Sequence, residues 1–89
     1  MYQPEAVAEL KKLRAFVRVR VLDGIAKALR DKPASASAKK KRLDLGGGEL
    51  IWQLRVGDHR IFYDVVEQER RVIVRHVRHK GRKTTGEIL

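Results

Sequence analysis

Arg55 and Arg60 face each other in the stretch WQLRVGDHRIFYDV, residues 52–65. Alternating residues on either side of Gly57-Asp58 read as a β-hairpin with a two-residue turn. In that register Val56 faces His59, Leu54 faces Ile61 and Trp52 faces Tyr63. Arg55 then lies directly across from Arg60, and like charges directly opposite in a sheet are destabilising. Either a small cost is tolerated or the pair holds something negative. Guanidiniums suit phosphate, because each offers a planar fork of donors that pairs two oxygens at once. In a phosphodiester-cleaving site they also stabilise charge developing on the pentavalent phosphorus.

RNA cleavage can use the substrate's own 2′-hydroxyl as nucleophile, so the absence of cysteine is no obstacle. It does want a proton acceptor and a proton donor near the reacting atoms. The candidates are His76, His79 and Lys80, with Asp64 and Tyr63 behind them. Histidine fits by pKa, and a cationic neighbourhood lowers that pKa and favours the neutral base. The plainer reading of both histidines is as surface residues of a basic tail. His76-x-x-His79 lacks an acidic third ligand and is crowded by arginine and lysine, so no metal site and no cofactor are expected.

Residues 4–32 read as a helical hairpin. Pro4 suits a first helical position, Val7, Leu10 and Leu13 share one face, and Leu22, Ile25 and Leu29 form a second stripe with Val21 and Ala28 beside them. FVRVRV, residues 16–21, has a period of two that fits a strand as well. Two helices with a break near residues 14–17 account better for the stripes on either side. Residues 33–48 form a basic, glycine-rich connection in which RLDL, 42–45, is compatible with an extended segment. Gly46-Gly47-Gly48 is no phosphate loop, since no Gly-Lys-Ser/Thr follows and no helix opens there. Residues 49–79 give a three-stranded antiparallel meander, and 80–89 a basic tail. The expected fold is α+β, one domain over 1–89, with two N-terminal helices packed on one face of a small antiparallel sheet whose concave basic face stays open. Trp52, Leu54, Ile61 and Tyr63 pack under Leu10, Leu13, Leu22, Ile25 and Leu29. For the third strand two registers are open. One buries Val72 and Val74 and puts Arg75, Val77 and His79 on the surface of Arg55 and Arg60; the other buries Ile73 and Val77.

The chain has 89 residues, 43% of them hydrophobic, enough for a single core. Its 21 Lys+Arg against 11 Asp+Glu give a net charge of +10. The charge is clustered: seven Lys/Arg and two histidines, with no carboxylate, fall between Arg70 and Lys83, and KKKR occupies 39–42. Basic patches of this kind point to nucleic acid, or to an acidic protein partner. No run is long and apolar enough for a bilayer span or a signal peptide, so a cytoplasmic location without membrane contact is expected.

These residues resemble the RelE/ParE superfamily of type II toxin–antitoxin toxins. Trp52, Leu54, Arg55, Val56, Gly57, Arg60, Ile61, Tyr63 and Val65 match the hairpin in place, and the segments 6–13 and 25–29 are similar to the helical hairpin. The resemblance implies a metal-independent endoribonuclease that cuts mRNA on the ribosome, silenced by a cognate antitoxin. ParE-like members instead inhibit DNA gyrase without nuclease activity. By position Arg60 matches the hairpin arginine associated with RelE-type catalysis, Arg55 a neighbouring basic position, and Lys80 and Arg82 the family's C-terminal arginines. The residues themselves add His79 and Lys80 as catalytic candidates, with His76 or His79 standing in for the acid and base. RNA contacts fall to Arg75, His76, Arg78, Arg82, Lys83, Lys40 and Lys41. Two departures stand out: Gln53 replaces a lysine, and no tyrosine occupies the tail near Gly86. Only Met1-Tyr2-Gln3 precede Pro4, so the family's first strand is short or absent, leaving a sheet edge for an antitoxin strand or a second copy.

Overall fold

The computed structural model describes residues 1–30, 34–47, 49–81 and 88, with Glu49 through its backbone alone. Two helices, α1 (Pro4–Lys11) and α2 (Ala15–Leu29), precede four strands: β1 (Lys40–Gly46), β2 (Glu49–Val56), β3 (His59–Val66) and β4 (Arg71–His79). The strands form one antiparallel sheet in the order β1-β2-β3-β4, and both helices lie on one face of it. Pro4 stands in the first turn of α1, where its missing N–H has no helical acceptor to lose.

FVRVRV is helical. Val17 and Val21, one turn apart, face the core, while Phe16 and Val19 are each 66% exposed. The second stripe is rotated from its expected position: Val21 is 1% exposed and Leu22 is 36%. Neighbouring helical residues differ by about 100°, and a short valine-leucine run does not say which of the two faces inward. Gly24 lets α2 approach β2 closely, since a Cβ there would lie 2.9 Å from Val56 Cγ1.

The expected connection over 33–48 contains a strand, and the sheet has four strands where a three-stranded meander was expected. β1 pairs Lys41 with Gln53 and Leu43 with Ile51. Its basic composition hid it, because an edge strand is held by its ladder and need bury little of its own.

The hairpin register is the expected one, with Trp52 opposite Tyr63, Leu54 opposite Ile61 and Arg55 opposite Arg60. Ala6, Leu10, Val21 and Ile25 meet Trp52, Leu54, Ile61, Tyr63, Val74 and Val77 in the core, with Leu13 and Leu29 at its margin. The Trp52 and Tyr63 rings stack with centroids 6.2 Å apart.

β4 follows neither expected register throughout. Phe62 pairs with His76 but Tyr63 pairs with Val74, which leaves Arg75 as an extra residue. Such a bulge switches the faces beyond it. Val72, Val74 and Val77 therefore all pack with the core. The edge of β4 is covered: Tyr2 pairs parallel to Val74, the Val74 N–H donates to Met1 O at 2.8 Å, and Glu9 Oε1 accepts the Val77 N–H at 3.0 Å. The open edge expected beside a short first strand is thus closed along this stretch.

The second sheet face is open only in part. Phe62, 0% exposed, clusters there with Ile51, Leu43 and Ile88. What remains open lies toward the β2–β3 turn.

Candidate nucleic-acid interface

On that remaining surface Lys39, Lys41, Gln53, Arg55, Arg60 and Lys80 line a cleft of about 230 Å³. The ladder explains the gathering. Gln53 and Arg55, two apart on β2, share a face; Lys41 stands across from Gln53, and Arg60 across from Arg55. The Arg55 N–H donates to Lys39 O at 2.8 Å, which sets Lys39 beside it. The Lys80 N–H donates to Asp58 O at 2.8 Å and ties the end of β4 to the turn. Among the described residues no carboxylate lines the cleft.

Arg60 is anchored. Its Nη1 donates to Gly57 O and to His59 O, both at 3.0 Å. Gly57 holds the turn open for this at φ 57°, a conformation that favours glycine. Partial burial lowers the Arg60 pKa from its ordinary value, the facing Arg55 adds to the effect, and Asp58 opposes it. Arg55 is exposed and makes no ion pair among the described residues. Gln53 is the one polar side chain buried among the described residues, at 4% exposure.

Of the residues expected from sequence, Arg55, Arg60, Lys80 and Lys41 come together here. Lys40 lines the cleft at its margin, but its ammonium donates to Ala28 O at 3.1 Å on the helix side. Lys39 and Gln53 were missed as site residues. The signal for Lys39 was the alternation of KKK, which puts 39 and 41 on one face once that run is known to be extended.

The remaining candidates are elsewhere. His79, expected on the surface of Arg55 and Arg60, lies on the helix side, because the bulge at Arg75 reverses the faces after it. It packs edge-on against His59 with ring centroids 5.2 Å apart. Arg75 itself is held by Asp64. Arg78 stands across from Arg60 and pairs with Glu9, Nε to Oε2 2.6 Å, although that N–H lacks hydrogen-bond alignment. His76 Nδ1 lies 3.4 Å from Glu9 Oε1 and 3.1 Å from Arg78 Nη2. Neither histidine lines the cleft. Arg82 and Lys83 fall outside the described residues. Among the described residues no three His, Cys, Asp or Glu side chains gather as a metal site would need.

The family model described as the ParE toxin of type II toxin-antitoxin system, parDE, matches residues 1–84. The chain belongs to this toxin family. No curated protein matches it. Among solved structures, the toxin is similar to the RelBE2 toxin–antitoxin complex of Mycobacterium tuberculosis, at 21% identity and a TM-score of 0.73, covering 89% of this chain and 93% of that one. It is similar also to the RelE–RelB complex of Pyrococcus horikoshii, at 21% identity and a TM-score of 0.71, covering 91% and 92% of the two chains. The RelB–RelE complex of Methanococcus jannaschii follows at 22% identity and 0.62, covering 90% and 89%. At these identities the likeness establishes the fold: two helices on an open four-stranded antiparallel sheet. Among the described residues no helix is long and apolar enough to cross a membrane.

Proposed function

We propose that this toxin binds RNA phosphate in the cleft of Lys39, Lys41, Arg55, Arg60 and Lys80 and inhibits translation by cutting ribosome-bound mRNA without a metal. The observation that carries the reading is the convergence of five cationic side chains, with no carboxylate among the described residues, on one small cleft. Arg55 and Arg60 face each other because a phosphate, or the carboxylates of an antitoxin, lies between them. Arg60, held on the turn carbonyls, clamps the scissile phosphate, and Arg55 neutralises charge as it builds. The substrate 2′-hydroxyl attacks phosphorus and the 5′-oxygen leaves, giving a cyclic phosphate and a free 5′-hydroxyl. With His79 on the other side of the sheet, Lys39 or Lys41, entering as the neutral amine, accepts the nucleophile's proton and the Lys80 ammonium protonates the leaving oxygen. A cognate antitoxin presenting acidic groups silences the toxin from this surface; the solved neighbours are themselves toxin–antitoxin complexes. The site of action is cytoplasmic.

A second reading, non-nucleolytic inhibition of gyrase, is favoured by the family description and by the lack of a histidine in the cleft. Primer extension on a reporter message in a purified translation system separates the two. New 5′ ends only in translated message support cleavage. An intact message together with blocked gyrase supercoiling would support the second reading.

A further inference from the structure

The reverse side of the same turn carries another cationic cleft. It encloses about 470 Å³ between the α1–α2 corner and the ends of β3 and β4, and is lined by Lys12, Arg14, Arg20, His59 and His79 over a floor of Leu13, Val17, Val21 and Val56. Asp58 is the one carboxylate lining it among the described residues. None of the three lysine and arginine side chains forms an ion pair among the described residues. This volume falls within the ~300–1,000 Å³ of pockets that hold small organic ligands, larger than a bare ion requires. The two clefts are back to back. Arg55 and Arg60 point to one side of the β2–β3 turn, while their sheet neighbours Val56 and His59 point to the other.

We propose that the cleft of Lys12, Arg14, Arg20, His59 and His79 takes a second phosphate of the same RNA strand, so that the backbone crosses the β2–β3 turn with cations on both sides of it. The proposal rests on the RNA reading of the first cleft. Two guanidiniums and two imidazoles offer directed N–H donors to phosphate oxygens, and the imidazole faces give an adjoining base a surface to stack on. Continuity with the first cleft around one two-residue turn favours a threaded polynucleotide over a separate acidic protein segment.

His59 makes this contact sensitive to pH. Burial, and then the neighbouring His79, lower the His59 pKa in the free protein, against a smaller opposing pull from Asp58. Lys12 and Arg14 from the corner, Arg20 from α2 and Arg60 on β3 add positive charge around the pair. A bound phosphate reverses that balance and draws a proton onto the His59 ring, so RNA affinity rises as pH falls.

The test is binding of a fluorescein-labelled oligouridylate to the full chain by anisotropy, across salt and pH, with the imidazole NMR signals followed in parallel. Each single-strand phosphate contact adds about 0.7 to the slope of log affinity against log salt. Arg14→Gln with Arg20→Gln lowers the slope by about 0.7 to 1.4, and His59→Gln removes the several-fold gain on acidification. In the wild type, RNA shifts both imidazole signals, which guards against misfolded variants. If these variants keep the wild-type slope and pH profile while Arg55→Ala with Arg60→Ala loses binding, the second site is overturned and the first stands. If the wild type shows no salt-dependent RNA binding, the RNA reading and the second site both fail. Imidazole signals that move with polyglutamate but not with RNA would give the cleft to an acidic protein and overturn the proposal.

Discussion

Gly24 holds α2 against the strand that carries Arg55, and its replacement by alanine predicts a reversal of sign. In an exposed helix, Gly→Ala stabilises by about 1 kcal/mol. Here the new Cβ would lie 2.9 Å from Val56 Cγ1 and 3.0 Å from Cγ2, while Val56 Cβ would be 3.6 Å away. Contacts to both branches of a stiff β-branched side chain leave no rotamer to escape into, and overpacking of this kind costs ~1–3 kcal/mol. Gly24→Ala should therefore destabilise the fold by roughly 1 kcal/mol net. Val56→Ala removes both γ-carbons and leaves only the ordinary contact to Cβ. In that background the same Gly24→Ala should stabilise by up to about 1 kcal/mol. The coupling across the cycle is then ~2 kcal/mol, measured by urea denaturation of the four proteins at constant m-value. Gly24→Ala stabilising both backgrounds equally would refute the close approach of α2 to β2.

Trp52→Ala should cost ~3–5 kcal/mol in the same assay, because the ring fills the core beside Tyr63. Glu9→Ala should cost ~1–3 kcal/mol, since it strands the Val77 N–H and leaves Arg78 without its carboxylate; thermal denaturation reads it. Burial pushes the Tyr63 hydroxyl up to about 12 from 10.0. The folded state therefore holds that proton more tightly, and the associated stability, full below pH 10.0, is lost as pH rises through about 12; a spectrophotometric tyrosine titration checks it. The His59 pKa is lowered from 6.5, so its contribution to stability is present above that pH and declines as pH falls below it, which His59→Gln should abolish in a pH series of melts.

The hairpin was legible in sequence because three signals agreed: the Gly57-Asp58 turn, a strict alternation, and a contiguous apolar face from Trp52 to Val65. That agreement also gave the Arg55–Arg60 pair, the centre of the candidate site. The helices were legible from their stripes, apart from the choice between Val21 and Leu22, which depends on how α2 is rotated against the sheet. RLDL read as extended, but β1 as a paired strand from Lys40 was not foreseen, because KKKRLDL has neither a buried face nor a β-branched run; its pairing with β2 decides its structure. With it went Lys39, whose place in the cleft exists only if the lysine run is extended. His79 was put on the wrong side by one residue, since nothing in RVIVRHVRH marks Arg75 as a bulge. The burial of Phe62 on the second sheet face was not legible, because it follows from an apolar cluster that includes Ile88, far away in sequence.

The most direct test of the central claim is single-turnover cleavage of ribosome-bound message by the wild type, Arg60→Ala and Arg60→Lys. An anchored guanidinium fork on the scissile phosphate predicts a loss of ~10²–10³-fold in rate for both variants, because an ammonium cannot reproduce the paired contact. Cleavage by Arg60→Lys at the wild-type rate would contradict that role and move the chemistry away from the Arg55–Arg60 cleft.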